Sequence, residues 1–539
     1  MFSLILTLMV VLSGPVRAVL PLQIQNHRFI KATSPKNDPR ENEIFFIKGI
    51  DYQPGGSSGF SRYAAHDILS EPSQCARDIF AFEELGINTV RIYQLNPELN
   101  HDECMTMLNN AGIYVILDVN SGNAGEHLNR ADPEGTYNAH YLSRVFKFIE
   151  SFKNYPNVLG FFSGNEVIND DENYAEIDPP YLRAIQRDMK QYILRHCNRT
   201  IPVGYSAADN TALRLATFKY LQCNSWDGAD VSQELDESRS DFYGLNSYQW
   251  CSGSSNWQNS GYRELAKTFH DANIPVIFSE YGCNQNSPRA FDEVSHGLYD
   301  GLKDTFSGGL VYEFSEEANS YGLVTINGED KSLTYKKDFA NLADQFSRLD
   351  LPRMKQFELP TAGANKCDVA EISAIYGNFG TEHFQIPDQL PDATLMIEHG
   401  VEDVTSGSII GDYSDPTNLE YDVKDVNGKR VNAILKWGND NKINEFYQSP
   451  KSFNQTSRAP VTVSPIFQGK NATSIFNSSI VTRGSSFSSI YKIGSTRDHR
   501  TTAFKDTTSS IKESKAQAAE LQVQPGTIVG LFAVLLSIV

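Results

Sequence analysis

Between residues 44 and 345 the chain alternates short apolar runs with longer stretches whose apolar residues recur every three or four positions. The runs are FFIKGIDY (45–52), TVRIYQL (89–95), YVILDVN (114–120), VLGFFSGNE (158–166), PVGYSAAD (202–209), DFYGLNSY (241–248), PVIFSEYG (275–282) and GGLVYEFSEE (308–317). They are rich in β-branched and aromatic residues and bounded by Gly, Pro, Asn or Asp, which predicts strands. The stretches between them, such as CARDIFAFEELG, YLSRVFKFIESFKNY and YLRAIQRDMKQYILRHC, are amphipathic at helical spacing. Strand followed by helix, repeated, implies parallel strands joined by crossover helices. About eight such units over about 300 residues is the size of a (β/α)8 TIM barrel. A doubly wound open sheet is the alternative that this pattern leaves open.

Beyond the repeating units the pattern changes. Residues 19–350 are expected to form the barrel, and 351–450 a small β-rich extension with shorter strand-like pieces. One of these, NLEYDVKDVNGKRVNAILKW, reads as a hairpin turning at Asn427-Gly428. Residues 451–525 are Ser/Thr-rich and read as a disordered, glycosylated stalk. The two ends are apolar. Residues 1–18 hold an apolar run from Phe2 to Leu12 and close on V-R-A, a secretory signal with cleavage expected after Ala18. Residues 526–539, GTIVGLFAVLLSIV, are too few to span a bilayer as a helix. After a polar spacer, such a tail is the pattern of a glycolipid (GPI) attachment signal. Ser509, Ser510, Ser514 and Ala516 are small residues suited to the attachment point.

Composition narrows the partners. A formal net charge of −19 over 539 residues repels phosphate backbones, so nucleic acid is excluded as a partner. No Walker loop, dinucleotide fingerprint or zinc-type cluster is present, so neither a cofactor nor a metal is expected. Aromatics make up 11%, which suits stacking on flat or cyclic ligands and suits an aromatic core equally well. A secretory route permits disulfides among the seven cysteines and glycans at the sequons Asn198, Asn454, Asn471 and Asn477.

The ends of the predicted strands are unusually polar. They carry Asp51 and Gln53, Arg91 and Tyr93, Asp118 and Asn120, Asn165 and Glu166, Asp209, Asn246 and Tyr248, Glu280 and Tyr281, and Tyr312 with Glu313, Glu316 and Glu317. In this fold, chemistry sits at the C-terminal strand ends. Glu166 and Glu280 each follow an apolar run. Cleaving a glycosidic bond needs such a pair, one carboxyl protonated to serve the leaving oxygen and one ionised to attack or to activate water. Tyr248 ends the strand before that of Glu280, so its hydroxyl could hold an ionised Glu280. Strand-end capping is the competing account of each of these residues taken singly.

GFFSGNEVIND and PVIFSEYGC resemble the acid/base and nucleophile segments of glycoside hydrolase family 72, the fungal glycolipid-anchored β-1,3-glucanosyltransferases of the cell wall. KGIDYQPGGSS (48–58), NTVRIYQLNP (88–97), YVILDVN, IPVGYSAAD, DFYGLNSYQWCSG (241–253) and GGLVYEFSEEANSYGLV (308–324) extend the resemblance over about residues 20–345. The resemblance implies Glu166 as acid/base and Glu280 as nucleophile of a retaining reaction. Asn165 would bind the donor 2-hydroxyl and Tyr248 would hold Glu280. Tyr93, Asp118 and Tyr312 would line the cleft, with Gln53 and Tyr281 as weaker candidates. An internal β-1,3 linkage is cut, and the new reducing end is passed to the non-reducing end of another glucan. The implied partners are a glucan donor, a glucan acceptor and a GPI anchor to the plasma membrane or wall. Trp250 and Trp257 could serve as stacking platforms or as loop anchors. The implied disulfides are Cys75 with Cys104, Cys251 with Cys283 and Cys223 with Cys367, leaving Cys197 as a buried small hydrophobe.

The chain also departs from the family pattern. Only Cys367 follows the barrel, so it resembles the branch without a cysteine-rich carbohydrate module. An acidic stretch lies between Cys223 and Asp241. VYEF stands where a VYMY-like run is usual, and YQW where YEW is, adding Glu313 and removing a carboxyl at Gln249. The competing functional readings are a purely hydrolytic endo-β-1,3-glucanase and a weakly active or non-enzymatic glucan-binding wall protein of the same fold.

Overall fold

The computed structural model describes residues 19–32, 41–56, 59–169, 174–224, 236–351, 365–379, 384–411, 413, 416 and 418–435. The leader at 1–18, the stalk, the apolar tail and the sequons at Asn454, Asn471 and Asn477 lie outside the described residues. Asn198 lies within them and is exposed, just past the helix Pro179–His196.

Three short strands come first, β1 (Leu22–Gln25), β2 (Arg28–Lys31) and β3 (Ile44–Phe45), paired antiparallel. Eight more follow: β4 (Ile47–Asp51), β5 (Thr89–Ile92), β6 (Tyr114–Asp118), β7 (Val158–Asn165), β8 (Val203–Ala208), β9 (Phe242–Asn246), β10 (Val276–Tyr281) and β11 (Phe306–Val311). These close into a barrel in sequence order, with β11 pairing back onto β4. Every pair around it is parallel. Each of the eight apolar runs supplies one barrel strand, and the open-sheet alternative is set aside.

The crossover helices start and stop where their sequences say. Pro72 opens Pro72–Leu85, and Gly86 ends it in the left-handed region at φ 68°, which a glycine adopts without strain. Asn138 caps Ala139–Phe152 by accepting from the Tyr141 amide. That helix buries Tyr141, Leu142, Val145, Phe146, Phe148, Ile149 and Phe152, the stripe expected of its spacing.

Alternation along the strands sends one set of side chains outward, beneath the helices, and the other into the barrel. Ile47, Tyr114, Ile116, Leu159, Phe162, Phe242, Ile277 and Leu310 fill the interior. Phe29 and Phe45 from β2 and β3 close its floor; the Phe29 ring meets Phe242 edge-on at 5.6 Å. Burying each such side chain contributes about 1.5–3 kcal/mol. The barrel is therefore a packed core, open for chemistry only at its C-terminal mouth.

The segment after the barrel corrects the β-rich expectation. Its described residues hold two helices, Val369–Ile375 and Pro391–His399, and one two-residue strand, β14 (Val423–Lys424). Ala393 and Ile397, four apart, are buried together, which is helical spacing that a short window does not distinguish from a strand. Asp368 caps the first helix and Pro391 opens the second. The hairpin at Asn427-Gly428 does form. Asp425 and Lys429 bond across the turn at 2.8 Å, Gly428 has φ 77°, and β14 joins the pair β12 (Val324–Ile326) and β13 (Leu333–Tyr335). Cys223–Cys367 ties this segment to the barrel, Cys75–Cys104 joins the helices Pro72–Leu85 and Asp102–Asn110, and Cys251–Cys283 clamps two barrel loops. Cys197 is the free cysteine, half-buried.

Candidate active site

The mouth of the barrel is organised around Arg91. Its guanidinium is completely buried between the rings of Tyr93 and Phe162, at 4.3 and 4.7 Å from their centroids. Nε and Nη2 grip the two Asp118 oxygens at 3.0 and 2.9 Å; Nη2 also donates to Asn165 Oδ1 at 3.1 Å. Nη1 donates to the Ser279 carbonyl at 3.2 Å and to Glu280 Oε1 at 3.3 Å. A planar fork with five N–H groups is what such a divided task requires.

Glu280 accepts three side-chain hydrogen bonds among the described residues, the first from Arg91. Oε1 also accepts from the Tyr93 hydroxyl at 2.9 Å, and Oε2 accepts from the Tyr248 hydroxyl at 2.7 Å. Burial pushes the Glu280 carboxyl up to about 7. The Arg91 charge and the two tyrosine hydroxyls pull it down, and Glu166 adds to the upward push. Asn165 links the surroundings of the two glutamates: Arg91 donates both to it and to Glu280, and Asn246 donates both to it and to Glu166.

Simple alternation would not deliver these residues together. In β10, Phe278 pairs with Leu245 and Glu280 with Asn246, so one extra residue bulges there. The bulge lets Ser279 and Glu280 both face the interior, while Tyr281 turns outward. In β7, Phe162 pairs with Gly204 and Asn165 with Ser206, a second bulge. Glu166 then takes φ 49°, a left-handed conformation in which a non-glycine residue is strained by about 1–3 kcal/mol. Its amide is held by the Ser206 carbonyl at 2.8 Å. Both adjacent side chains thus enter the mouth.

A second layer fixes these aims. Asn246 Nδ2 donates to Glu166 Oε1 at 2.9 Å and to Asn165 Oδ1 at 3.1 Å. Asn246 Oδ1 accepts from Ser279 at 2.7 Å, and the single Ser206 hydroxyl hydrogen is shared between Asn165 Oδ1 at 2.8 Å and Asn246 Oδ1 at 3.1 Å. Room for Ser279 comes from Gly244, where a Cβ would lie 2.5 Å from its hydroxyl. Tyr312, half-buried, stands edge-on to Tyr93, Tyr248 and Tyr321 at 6.5, 6.4 and 5.3 Å and lines the rim.

The sequence-predicted residues therefore divide. Glu166, Glu280, Asn165, Tyr93, Tyr248 and Tyr312 meet at the mouth. Asp118 is there too, buried as the anchor of Arg91. Gln53 instead braces two loops, its Oε1 accepting from the Gln94 amide at 3.0 Å. Tyr281 is fully buried beside Phe278, outside the site. Trp250 is a loop anchor, buried with its indole N–H on Asp292 at 3.1 Å, whereas Trp257 is half-buried and covers Gly301. Gln249 donates to Asp209 at the edge. Glu313 is buried and accepts from Asn319 Nδ2 at 2.7 Å; burial pushes it up to about 7. Sequence reading gave no role to Ser206 or Ser279. A lone serine in an apolar strand run was the available signal.

A family model described as Glucanosyltransferase matches residues 13–350, more than half of the chain. This chain belongs to the glucanosyltransferase family. Among its relatives is the Saccharomyces cerevisiae protein named "Probable 1,3-beta-glucanosyltransferase GAS3", 60% identical over 444 residues, spanning 82% of this chain and 84% of that one. The Aspergillus fumigatus 1,3-beta-glucanosyltransferase gel2 is 44% identical over 417 residues, 77% of this chain and 82% of its own length. Saccharomyces cerevisiae Gas2p, solved in complex with laminaritetraose and laminaripentaose, superposes with a TM-score of 0.57 at 34% identity, covering 69% of this chain and 75% of that one. The site of this glucanosyltransferase-family barrel thus lies on a fold that, in a relative, has been seen with laminari-oligosaccharides.

Proposed function

We infer that this chain is a β-1,3-glucanosyltransferase acting by two displacements at Glu280 and Glu166. The observation that carries the residue roles is the donor set of Glu280: Arg91, Tyr93 and Tyr248 all donate to it, the surroundings of a carboxylate kept for attack. In the first step Glu280 attacks the sugar carbon of an internal β-1,3 linkage. Glu166, held by Asn246, gives its proton to the departing oxygen. The reducing-end fragment leaves. In the second step Glu166 takes a proton from the hydroxyl of an incoming glucan, whose oxygen displaces Glu280 and restores the β configuration. Asn165, fixed by Arg91, Ser206 and Asn246, is placed to bind the donor 2-hydroxyl through its amide nitrogen. Transfer over hydrolysis follows from occupancy of the acceptor side by sugar, for which the Tyr312–Tyr321 rim offers faces.

The deciding assay incubates the secreted protein with a reduced β-1,3-gluco-oligosaccharide and follows product length. Products longer than the substrate, absent for Glu166→Gln and Glu280→Gln, are expected. Only shorter products would make the chain a hydrolase. An inert, folded protein that still binds glucan would make it a wall-binding relative. The leader, sequons and apolar tail support an extracellular protein held by a GPI lipid at the outer face of the plasma membrane or in the wall. Treatment of cells with phosphatidylinositol-specific phospholipase C should release it.

A further inference from the structure

One carboxyl at the mouth has no part in the steps above. Asp51 ends β4, is fully buried, and neither of its oxygens has a hydrogen-bond partner among the described residues. Arg91 stands beside it and has nothing to give. Its five N–H groups go to Asp118 twice, to Asn165, to the Ser279 carbonyl and to Glu280. The charged and titratable groups facing Asp51 come from every neighbouring element. They are Arg91 and Tyr93 from the β5 end, Asp118 from β6, Tyr248 after β9, Glu280 from β10, and Tyr312 and Glu313 after β11. A single cation thus serves Asp51, Asp118 and Glu280. Glu280 receives three donors and Asp51 none. When two close carboxyls hold one proton between them, it resides on the one whose charge nothing stabilises.

We propose that Asp51 carries a proton in the working enzyme and acts as a positioning residue, whose neutral state leaves Arg91 free to aim Glu280 and Asn165. The inference rests on the role proposed above for Glu280. An ionised Asp51 would have to draw an N–H from one of the five bonds of Arg91. Three of those orient Glu280, its backbone neighbour and the amide of Asn165, so the nucleophile and the sugar-binding amide would lose their aim. Burial holds Asp51 well above the ordinary carboxylate range, Arg91 opposes this, and Glu280, Asp118 and Glu313 add to it. Rising pH should therefore switch the site off through a group that never touches the sugar.

Asp51→Asn tests this in the full secreted protein. In the transfer assay, the acidic limb of kcat/KM should stay where it is, because a neutral side chain replaces a neutral one. The alkaline limb should lose one ionisation, its limiting slope falling from two protons towards one. Two further measurements need no activity. Difference infrared spectra should show a protonated-carboxyl band in the wild type that the variant lacks. The melting temperature of the wild type should fall faster with pH above about pH 4 than that of the variant, because only the folded state keeps this proton. A displacement of the acidic limb to lower pH by about one unit or more would mean that Asp51 was an anion repelling Glu280, and would overturn the proposal. So would an unchanged infrared band. Should Asp51→Asn fail to fold, Asp51→Leu, similar in shape and lacking polar atoms, carries the same comparisons. A chain inert in transfer whose infrared and melting results follow expectation would refute the assigned activity and leave the proton on Asp51.

Discussion

Tyr248→Phe isolates one bond at the candidate nucleophile. The change removes the hydroxyl that donates to Glu280 Oε2 at 2.7 Å and leaves the ring, which stands edge-on to Tyr312 and Tyr321. A hydrogen bond to a charged group contributes about 1.5–3 kcal/mol. It stabilises only the ionised form of Glu280, so its loss makes that carboxyl harder to ionise. At about 1.4 kcal/mol per pH unit, the ionisation moves up by about one to two units. Glu280 must be ionised to attack. The acidic limb of kcat/KM should therefore move to higher pH by that amount, and at a fixed pH below the limb kcat/KM should fall about 10- to 100-fold. Above the limb the variant should approach the wild type. The measurement is a pH series of initial transfer rates on one oligosaccharide, with folding checked by circular dichroism. An equal loss at every pH, with the limb unmoved, would refute the reasoning. It would mean that the hydroxyl serves the sugar and not the charge of Glu280.

Two further outcomes concern stability. Replacing Cys223 and Cys367 by Ser opens a bridge with a sequence separation of 144, which the chain-entropy account values at about 5 kcal/mol; denaturant midpoints should fall accordingly, with the barrel fold kept. For Glu313→Gln the sign follows from a carboxyl raised to about 7 in the folded state against about 4.3 in the unfolded chain. Below about pH 4 both states hold the proton. Between about pH 4 and 7 only the folded state does, so wild-type stability declines with rising pH, by about 4 kcal/mol at most. The variant lacks this decline, so its melting temperature relative to wild type should climb across that window and then level off. A constant difference would contradict the buried-acid assignment.

The barrel was legible in the chain because each strand is buried on both faces, and a run such as YVILDVN announces itself against amphipathic neighbours. The two glutamates were legible because each ends such a run. The floor strands were missed: β1, β2 and β3 are four, four and two residues long, and no period can be read at that length. The bracing of the site was hidden for a different reason. Asn246, Ser206 and Ser279 act through contacts between strands 33 to 81 residues apart, and through bulges that break the alternation on which sequence reading depends. The tryptophans stayed ambiguous because a large ring beside a site suits an anchor as well as a platform; burial makes Trp250 an anchor, while Trp257 is half-buried.

The seam between β11 and β4 joins Gly308 to Ile47. While the chain emerges from the ribosome, β4 can find β5 at once, but its other edge waits for more than half of the polypeptide. Until then Phe29 and Phe45 face no completed barrel, and the first and latest strands offer unpaired backbone. Long-range closure of this kind is slow and exposed to misassociation. A variant that weakens the seam should therefore betray itself first as poor secretion, well before any loss of activity per molecule that leaves the cell.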